Sequence, residues 1–429
     1  MVWVPGKDEV TAIDAYLRAP TFPPLLERLV EEYIRKKTGK HWDDPVVLEK
    51  LRRAIVSQKD QYWREGRTRK ISYEKGYSVL AYLAYQLPVY FVQFEHILTM
   101  LVKDGLLKTR MRVLDVGTGP GVVPLALTDF LSRLKGCTAT IHAIEQSAEQ
   151  IEAFSYLVSG FAKDIREVTV GGPVPGDIRK FHLRDLPGPF DLIVFQNVLN
   201  ELPEAGPGVR ADIVESFAQL LEDEGSILII EPADRANSTT MRKTVLSLVD
   251  RGFGIFSPCK FIWGARCRPD ACWTFEEKPR IRPTRLMKAL AGKEAYRYLN
   301  TDIKYSYAVL RKDSRQSSPF RVPLHAKFAR FSQLGRHVGR KVNVIASVMS
   351  GNLGDSTYHV YRVCDGTSRN QVYVVLPRYF SAPSTKSILE SDYGSVIEFH
   401  QVLVRFNPRY NAFNLLVNRN TRIVQVPAN

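Results

Sequence analysis

A glycine-rich turn follows the apolar run at residues 112–116. It reads DVGTGPG over residues 115–121, which places glycine at Gly117, Gly119 and Gly121. Glycine adopts backbone conformations closed to other residues and lets a ligand approach the main chain, so the turn predicts a ligand site at a strand end. A dinucleotide fingerprint requires a further glycine at position 122, where this chain has Val122. The turn therefore does not favour a dinucleotide.

Polar residues at the ends of the apolar runs point instead to S-adenosylmethionine (SAM). SAM has no pyrophosphate, and its cationic sulfonium and amino-acid tail suit carboxylate and backbone partners. Asp115 ends the first run and Glu145 the second, where a carboxylate can accept both ribose hydroxyls. Asp185 precedes a later apolar run, and its carboxylate suits the adenine amino group. Asn197 ends that run. The predicted SAM-binding residues are Asp115, Gly117, Gly119, Gly121, Glu145, Asp185 and Asn197.

The segment after that later run, QNVLNEL at residues 196–202, carries no recognisable catalytic motif. Methyltransferases that act on amino groups have an Asn/Asp-Pro-Pro-aromatic turn here, and cytosine-C5 enzymes have a Pro-Cys nucleophile. The Pro258-Cys259 pair of this chain stands elsewhere. Asn200 and Glu201 either orient a substrate or cap the next helix. The sequence assigns no catalytic residue.

Three of the five cysteines fall within fourteen residues, at Cys259, Cys267 and Cys272. In a reducing compartment such clustering indicates a metal before a disulfide. The spacing matches neither a zinc ribbon nor a ferredoxin run, and the segment has no histidine. A fourth thiolate is therefore required, and either Cys364 or Cys137 can supply it. Three inert buried cysteines would be the alternative, but the charged residues between them make the loop polar.

The elements that must position these residues alternate between strand and helix after residue 111. This pattern predicts a doubly wound α/β sheet. The predicted strands are 112–116, 140–144, 191–196, 226–231 and 303–311, and the predicted helices are 124–134, 211–221 and 284–290. Residues 1–108 have helical periodicity, with Gly39 placed to end one helix. Within them the basic stretch 64–75 is either an RNA contact or a solvated face, with the solvated face favoured.

A polar linker at 312–319 separates this region from a strand-rich C-terminal part. Five short strands are predicted there, at 341–347, 358–363, 372–376, 395–406 and 413–417, which favours a small barrel of the oligonucleotide-binding (OB) type. Residues 316–429 hold 14 Lys/Arg against 5 Asp/Glu, a net charge of +9 in a chain whose total is +15. Aromatic residues alternate with these cations, as expected for a surface that follows phosphates and stacks on bases. The predicted partner is RNA.

The predicted organisation is then a class I SAM-methyltransferase Rossmann-like α/β fold with two flanking domains. A helical N-terminal domain spans 1–108, and a SAM-binding methyltransferase-like domain spans 109–315 with a cysteine-cluster loop at 253–280. A basic OB-like β-barrel spans 320–429. No apolar run is long enough for a membrane helix, and Asp8, Glu9 and Asp14 argue against a signal or transit peptide. The expected location is cytoplasmic.

Four stretches together resemble the ribosomal small-subunit methyltransferase-like family, whose mitochondrial-type members associate with the small subunit during assembly. These are residues 113–121, the cysteine segment 257–275, the KYSYAVLRK strand at 304–312 and residues 363–366. The resemblance implies a SAM-binding fold and a 4Fe-4S cluster held by Cys259, Cys267, Cys272 and Cys364. Four thiolates bind zinc almost as well as an iron–sulfur cluster, so the choice of iron over zinc rests on the resemblance alone. The first cysteine spacing departs from the family's Cys-Pro-His form.

Two functions follow as hypotheses. One is an RNA-directed SAM-dependent methyltransferase acting on the small ribosomal subunit or its rRNA. The other is a non-catalytic assembly factor on the same partner, in which SAM and the cluster are structural. A methyltransferase for small molecules is disfavoured by the basic C-terminal part.

Overall fold

The computed structural model describes residues 1–63, 76–202, 206–264, 272–292, 294–313, 315–318, 320–380 and 383–427. The basic stretch 64–75 lies outside them. The chain forms two compact units, and each is built from two separate segments of sequence. Unit 1 comprises Met1–Glu231 and Lys278–Lys304, and unit 2 comprises Pro232–Glu277 and Tyr305–Asn429.

Unit 1 begins with helices, as the periodicity of residues 1–108 predicts. Gly39 ends the second of them in the left-handed conformation with φ of 69°, which a residue without Cβ adopts at little cost. The buried face of that helix includes Leu26, Val30 and Ile34. The helices before the sheet are α1 (Lys7–Arg18), α2 (Pro24–Thr38), α3 (Pro45–Trp63), α4 (Ser78–Tyr85) and α5 (Leu87–Lys103).

A parallel sheet forms the centre of unit 1, and helices alternate with its strands along the chain. The strands are β1 (Arg110–Val116), β2 (Thr138–Glu145), β3 (Val168–Val170), β4 (Val174–Pro175), β5 (Phe190–Gln196) and β6 (Leu221–Pro232). The intervening helices are α6 (Val122–Ser132), α7 (Ala148–Phe161) and α8 (Pro207–Ala218). The order is β3-β2-β1-β5-β6, and β4 pairs with β2 beyond β3. The doubly wound α/β prediction is confirmed.

The ends of β1, β2 and β5 meet at one edge of this sheet because the three strands run parallel. Val116 lies beside Ile144, and Asp115 lies beside Val194. The residues that follow each strand therefore line a common edge, as in other open α/β sheets, where ligands bind beyond the carboxyl ends of the strands.

Unit 2 starts with helix α9 (Arg235–Asp250) and strand β7 (Gly254–Ser257), which pairs antiparallel with β9 (Ile303–Arg311). Asp234 caps α9 by accepting a hydrogen bond from the Asn237 amide at 3.0 Å. Strand β8 (Glu276–Lys278) also pairs with β9. Between β8 and β9 the chain forms α10 (Arg285–Ala291) and α11 (Ala295–Tyr298), which belong to unit 1.

The C-terminal part of unit 2 is a closed five-stranded barrel. Its strands are β10 (Lys341–Val348), β11 (Tyr358–Cys364), β12 (Gln371–Pro377), β13 (Val396–Asn407) and β14 (Ala412–Leu416). They follow the ring order β10-β11-β12-β14-β13, closed by β13 on β10, with β12 and β14 parallel. This is the order of an OB-type barrel, so the prediction is confirmed. Helix α12 (Pro383–Leu389) follows β12, and β15 (Arg422–Gln425) extends β13.

None of the helices in the described part of the chain is both long and apolar enough to cross a bilayer.

Candidate functional site

The glycine turn holds its shape through positive φ angles and a fixed anchor. Gly117, Gly119 and Gly121 have φ of 74°, 57° and 93°. The Gly117 amide donates to the Ile144 carbonyl at 2.9 Å, which ties the turn to β2. A Cβ on Gly117 would lie 2.3 Å from Val198 Cγ2, so only glycine fits there. The contact with Val198 packs the turn against the segment after β5.

Gly119 differs from its neighbours because a Cβ there would meet no atom within 4 Å. Its amide donates to Glu145 Oε2 at 2.9 Å, and the Gln146 and Ser147 amides donate to Glu145 Oε1 at 2.9 and 2.8 Å. Burial raises the pKa of Glu145, and these three backbone donors oppose the rise. The turn therefore presents open space beside a carboxylate that the backbone holds in place.

Asp115 lies at the end of β1 and is 1 % exposed. Its Oδ2 has no hydrogen-bond partner among the described residues. Burial raises the pKa of Asp115 to about 7, and the neighbouring Glu145 charge adds to this effect. A buried carboxylate oxygen without a donor is costly, so this oxygen is suited to a polar ligand group.

The loop after β5 carries two buried amides. Asn197 has φ of 54° although it is not glycine, and its backbone amide donates to the Ile230 carbonyl at 2.8 Å. The Asn200 backbone amide donates to Glu231 Oε1 at 3.1 Å. Within the described residues, both side-chain polar atoms of Asn197 and of Asn200 have no partner. Such strain and unmet hydrogen bonding are typical of ligand sites.

The predicted SAM residues are not all placed alike. The glycines of the turn follow β1, Glu145 is the last residue of β2, and Asn197 follows β5. The ends of these three strands share one edge of the sheet. Asp185 lies in a short 3-10 turn at Leu183–Asp185 and is exposed. Its carboxylate makes no hydrogen bond or ion pair with the rest of the described chain. Sequence reasoning did not identify Val198, whose packing against Gly117 only the fold reveals.

The geometry at this edge fits SAM by two observations. Space is open at Gly119, where a side chain would otherwise stand, and buried polar atoms of Asp115 and Asn197 lack partners among the described residues. Carboxylate and backbone groups are the partners that a sulfonium and an amino-acid tail require.

Three of the four predicted metal ligands are described, all in unit 2: Cys259, Cys272 and Cys364. Cys267 lies outside the described residues. Burial raises the pKa of Cys364 to about 12, and the Cys272 and Cys259 thiols add to the rise. Burial also raises the pKa of Cys259, with Arg242 opposing and Cys272 adding.

The described residues alone do not complete a metal site, since no three of their His, Cys, Asp or Glu side chains could together hold a metal ion. Cys137, the other possible fourth ligand, is buried in unit 1. Its thiol donates to the Lys108 carbonyl at 3.1 Å.

The barrel surface carries most of the predicted cations and some of the aromatics. Exposed aromatic residues include Tyr379 and Tyr410, and the Arg409 guanidinium lies 5.3 Å from the Tyr410 ring centroid. The exposed basic residues are Arg336, Arg340, Lys341, Arg369, Arg378, Lys386, Arg405, Arg409, Arg419 and Arg422. Arg362, one of the basic residues counted in 316–429, does not belong to this surface, because it is only 4 % exposed.

Two family models match the sequence. Residues 90–261 match the family described as a methyltransferase domain. Residues 332–426 match the C-terminal domain of a family described as a domain of unknown function, DUF8157, and this range covers the barrel. No curated protein matches the chain.

Solved structures with similar parts are methyltransferases of several kinds. Magnesium protoporphyrin IX methyltransferase from Synechocystis PCC 6803, with bound SAH, is 12% identical, and the match covers 63% of this chain and 99% of that one at a TM-score of 0.31. A putative methyltransferase from Bacillus halodurans is 14% identical over 50% and 98%, at a TM-score of 0.32. Precorrin-6y C5,15-methyltransferase from Geobacter metallireducens is 14% identical over 51% and 88%, also at 0.32.

The family match and the strand order define the class of protein. The α/β sheet is a class I SAM-methyltransferase Rossmann-like domain, and a closed barrel follows it along the chain. The chain is SAM-dependent methyltransferase-like.

Proposed function

We propose that this chain is a SAM-binding, RNA-associated methyltransferase-like protein that acts on the small ribosomal subunit or its rRNA during assembly. The observation that carries the proposal is a barrel of OB order, with exposed cations and aromatics, in the same chain as a methyltransferase domain. Such surfaces follow phosphates and stack on unpaired bases. A ribosomal partner makes the cytoplasm the expected compartment.

The proposed SAM-binding residues are those of the sequence prediction. When bound, SAM supplies an electrophilic methyl group. The backbone at Gly117, Gly119 and Gly121 approaches the cofactor closely, and Glu145 and Asp115 accept its hydrogen bonds. Asn197 offers a buried amide at the same edge, while Asp185, which is exposed, is proposed for the adenine amino group.

Methyl transfer from labelled SAM into small-subunit rRNA and assembly intermediates tests the function directly. We expect incorporation with the wild-type chain and a large loss with Asp115→Asn. Arg405→Glu on the barrel should weaken transfer to RNA while leaving SAM affinity unchanged. Arg18→Glu, which replaces an exposed cation of unit 1, serves as the matched charge control. Incorporation that is unaffected by Arg405→Glu at every salt concentration would contradict a role for the barrel.

The non-catalytic assembly factor is retained as a second candidate because of one specific observation. Residues 196–202 contain no cysteine, histidine, lysine or tyrosine, so the segment beyond β5 offers only amides and the Glu201 carboxylate. Tight binding of SAM and of small-subunit RNA, with no methyl transfer on any such substrate, would select this candidate.

We further propose a metal centre held by Cys259, Cys267, Cys272 and Cys364, with a 4Fe-4S cluster as the first choice and zinc as the alternative. Support comes from the resemblance of the cysteine segment and from the backbone amide of Gly366, which donates to Cys364 Sγ at 3.3 Å. Bound thiolates commonly accept such hydrogen bonds.

An absorbance spectrum of anaerobically purified protein distinguishes iron from zinc. Cys364→Ser should lower iron and sulfide, or zinc, per chain, whereas Cys137→Ser should leave them unchanged. A Cys364→Ser protein with full metal content would refute this ligand set.

A further inference from the structure

The two ends of the barrel are closed by different segments of unit 2. Helix α12 joins the end of β12 to the start of β13, and its Ile388 lies in the barrel core. A 3-10 helix at Phe331–His337 covers the other end, where Phe331 and Leu334 are 1 % and 0 % exposed. The β11–β12 loop and the β13–β14 turn lie at this second end, because β12 and β14 are parallel and both begin there.

Hydrogen bonds hold the three segments of the second end together. Asn370 Nδ2 donates to the Asn411 carbonyl at 3.2 Å and to Asn411 Oδ1 at 2.9 Å, which joins the β11–β12 loop to the β13–β14 turn. The Ser332 amide donates to Thr367 Oγ1 at 3.1 Å, which joins the 3-10 helix to the same loop. The exposed side chains of these segments therefore belong to one surface.

Six exposed cations lie on this surface, which we call the Arg409 end of the barrel. The Val404 amide donates to the Arg340 carbonyl at 3.0 Å, and this bond places Arg340 beside the part of β13 that carries Arg405. None of the six forms a salt bridge with another described residue. They are Arg336, Arg340, Lys341, Arg369, Arg405 and Arg409.

Among the described residues, the Arg409 end presents no exposed carboxylate. Its one acidic residue, Asp365, is 2 % exposed and accepts a hydrogen bond from the Phe331 amide at 2.7 Å. At the α12 end, by contrast, Lys386 pairs with Glu390 at 3.3 Å. The other acidic residues of 316–429 stand before β11, after α12 or near the start of β13, at the opposite ends of these strands: Asp355, Glu390, Asp392 and Glu398.

An exposed aromatic ring stands among the cations of the Arg409 end. Tyr410 is 65 % exposed in the β13–β14 turn, and the Arg409 guanidinium lies 5.3 Å from its ring centroid. Cations alone suit any polyanion, whereas an exposed ring adds a platform on which an unpaired base can stack. Acidic peptides and anionic membranes offer phosphate or carboxylate charge without bases, so the combination favours RNA.

We propose that the Arg409 end of the barrel, and not its α12 end, binds RNA, with an unpaired base stacked on Tyr410 and phosphates along the six cations. This inference rests on the proposed function and deepens it by assigning the surface that holds the RNA. Cations without a salt bridge can pair with phosphates without first breaking an internal ion pair. Lys386 at the α12 end would have to give up Glu390.

The test uses the full chain and three probes. The first is an unpaired RNA of about 16 nucleotides, the upper end of the site size of one OB fold. The second is heparin, a polyanion without bases, and the third is polyglutamate, which represents an acidic protein segment. Affinity for each probe is measured over a range of salt concentrations, and thermal unfolding checks that every variant folds as wild type does.

Two variants change the Arg409 end, namely Tyr410→Ala and the double variant Arg405→Gln/Arg409→Gln. Each has a matched control at the α12 end, where Tyr379 follows β12 and is 86 % exposed. Arg419 lies at that end as well, because it follows β14 and the Val417 amide donates to the Val375 carbonyl of β12 at 3.0 Å. The controls are Tyr379→Ala and Arg378→Gln/Arg419→Gln.

Tyr410→Ala should weaken RNA binding about tenfold to a hundredfold, the usual effect of removing one stacking ring, and should leave heparin affinity unchanged. Arg405→Gln/Arg409→Gln should reduce the slope of log RNA affinity against log salt by about 1–2, because two phosphate contacts are lost. Both controls should bind RNA as wild type does.

The inference is overturned if the α12-end controls weaken RNA binding and the Arg409-end variants do not, or if Tyr410→Ala weakens RNA and heparin binding equally. Polyglutamate that binds as tightly as RNA would assign the surface to an acidic protein segment instead. A wild-type chain that does not bind the RNA even at low salt refutes the RNA association of the proposed function. RNA binding that survives both Arg409-end variants refutes only the assignment of the surface.

Discussion

Alanine at Gly117 and at Gly119 should have different effects, because the two positions share a backbone conformation but not their surroundings. Both have positive φ, which costs a residue with a Cβ about 1–2 kcal/mol. At Gly117 the new Cβ would also lie 2.3 Å from Val198 Cγ2, and overpacking of this kind costs about 1–3 kcal/mol. Gly117→Ala should therefore lower the free energy of unfolding by about 2–5 kcal/mol.

Gly119→Ala should lower the free energy of unfolding by only about 1–2 kcal/mol, because no atom lies within 4 Å of the added Cβ. The space it fills is the space that we assign to SAM. A methyl group forced against a bound ligand costs about 1–3 kcal/mol, so SAM affinity should fall on the order of tenfold to a hundredfold.

The assays are urea unfolding of the ligand-free protein and calorimetric titration with SAM. The double variant Gly117→Ala/Val198→Ala should recover the overpacking part of the loss but not the backbone part, which a double-mutant cycle separates. Wild-type SAM affinity in Gly119→Ala would refute the placement of the cofactor at this turn. Equal losses of stability in the two single variants would refute the packing argument.

Three further results are expected. Arg133→Met should lower the free energy of unfolding, measured in urea, by about 3–5 kcal/mol, because it leaves the fully buried Glu95 without the guanidinium that now lies 2.7 Å away. As the control, Lys37→Met breaks the exposed pair with Glu152 and should lower the free energy of unfolding by less than about 1 kcal/mol. Ligand-free protein should lose stability as pH rises from about 4 to about 7, since Asp115 keeps its proton to about pH 7 in the folded chain but loses it near 3.9 in the unfolded chain. Asp115→Asn should remove this part of the pH dependence of the free energy of unfolding, and a pH profile identical to wild type would contradict the role of Asp115. Arg405→Ala and Arg409→Ala should each reduce the slope of log affinity for small-subunit RNA against log salt by about 1, while a slope equal to wild type would exclude a phosphate contact.

Strands were predictable wherever an apolar run was long enough to be buried. The run at 303–311 has the predicted bounds because turn residues flank it on both sides. The predicted start of α6 at Pro124 is late by two residues, since proline also fits inside the first turn of a helix. Strand β15 was missed because its four residues show no periodicity that distinguishes them from a loop.

The candidate site was predictable where chain order alone determines position. Residues at the ends of parallel strands reach one edge of a sheet, which is why Asp115, Glu145 and Asn197 could be predicted to lie at the same edge. The burial of Arg362 could not be predicted from the sequence, because its strand lies in a small barrel where alternate residues normally face solvent.

The discontinuous make-up of the two units has a consequence for synthesis on the ribosome. Translation proceeds from the N-terminus, so the second segment of unit 1 is complete at Lys304, whereas unit 2 begins at Pro232 and ends with the last residues of the chain. Cys259 and Cys272 therefore emerge about a hundred residues before Cys364. If these thiols share one metal, the nascent chain carries an unfinished, oxidation-sensitive set of ligands until the barrel is made. Metal insertion then becomes a late step, because it requires the barrel strand that carries Cys364 to have been synthesised.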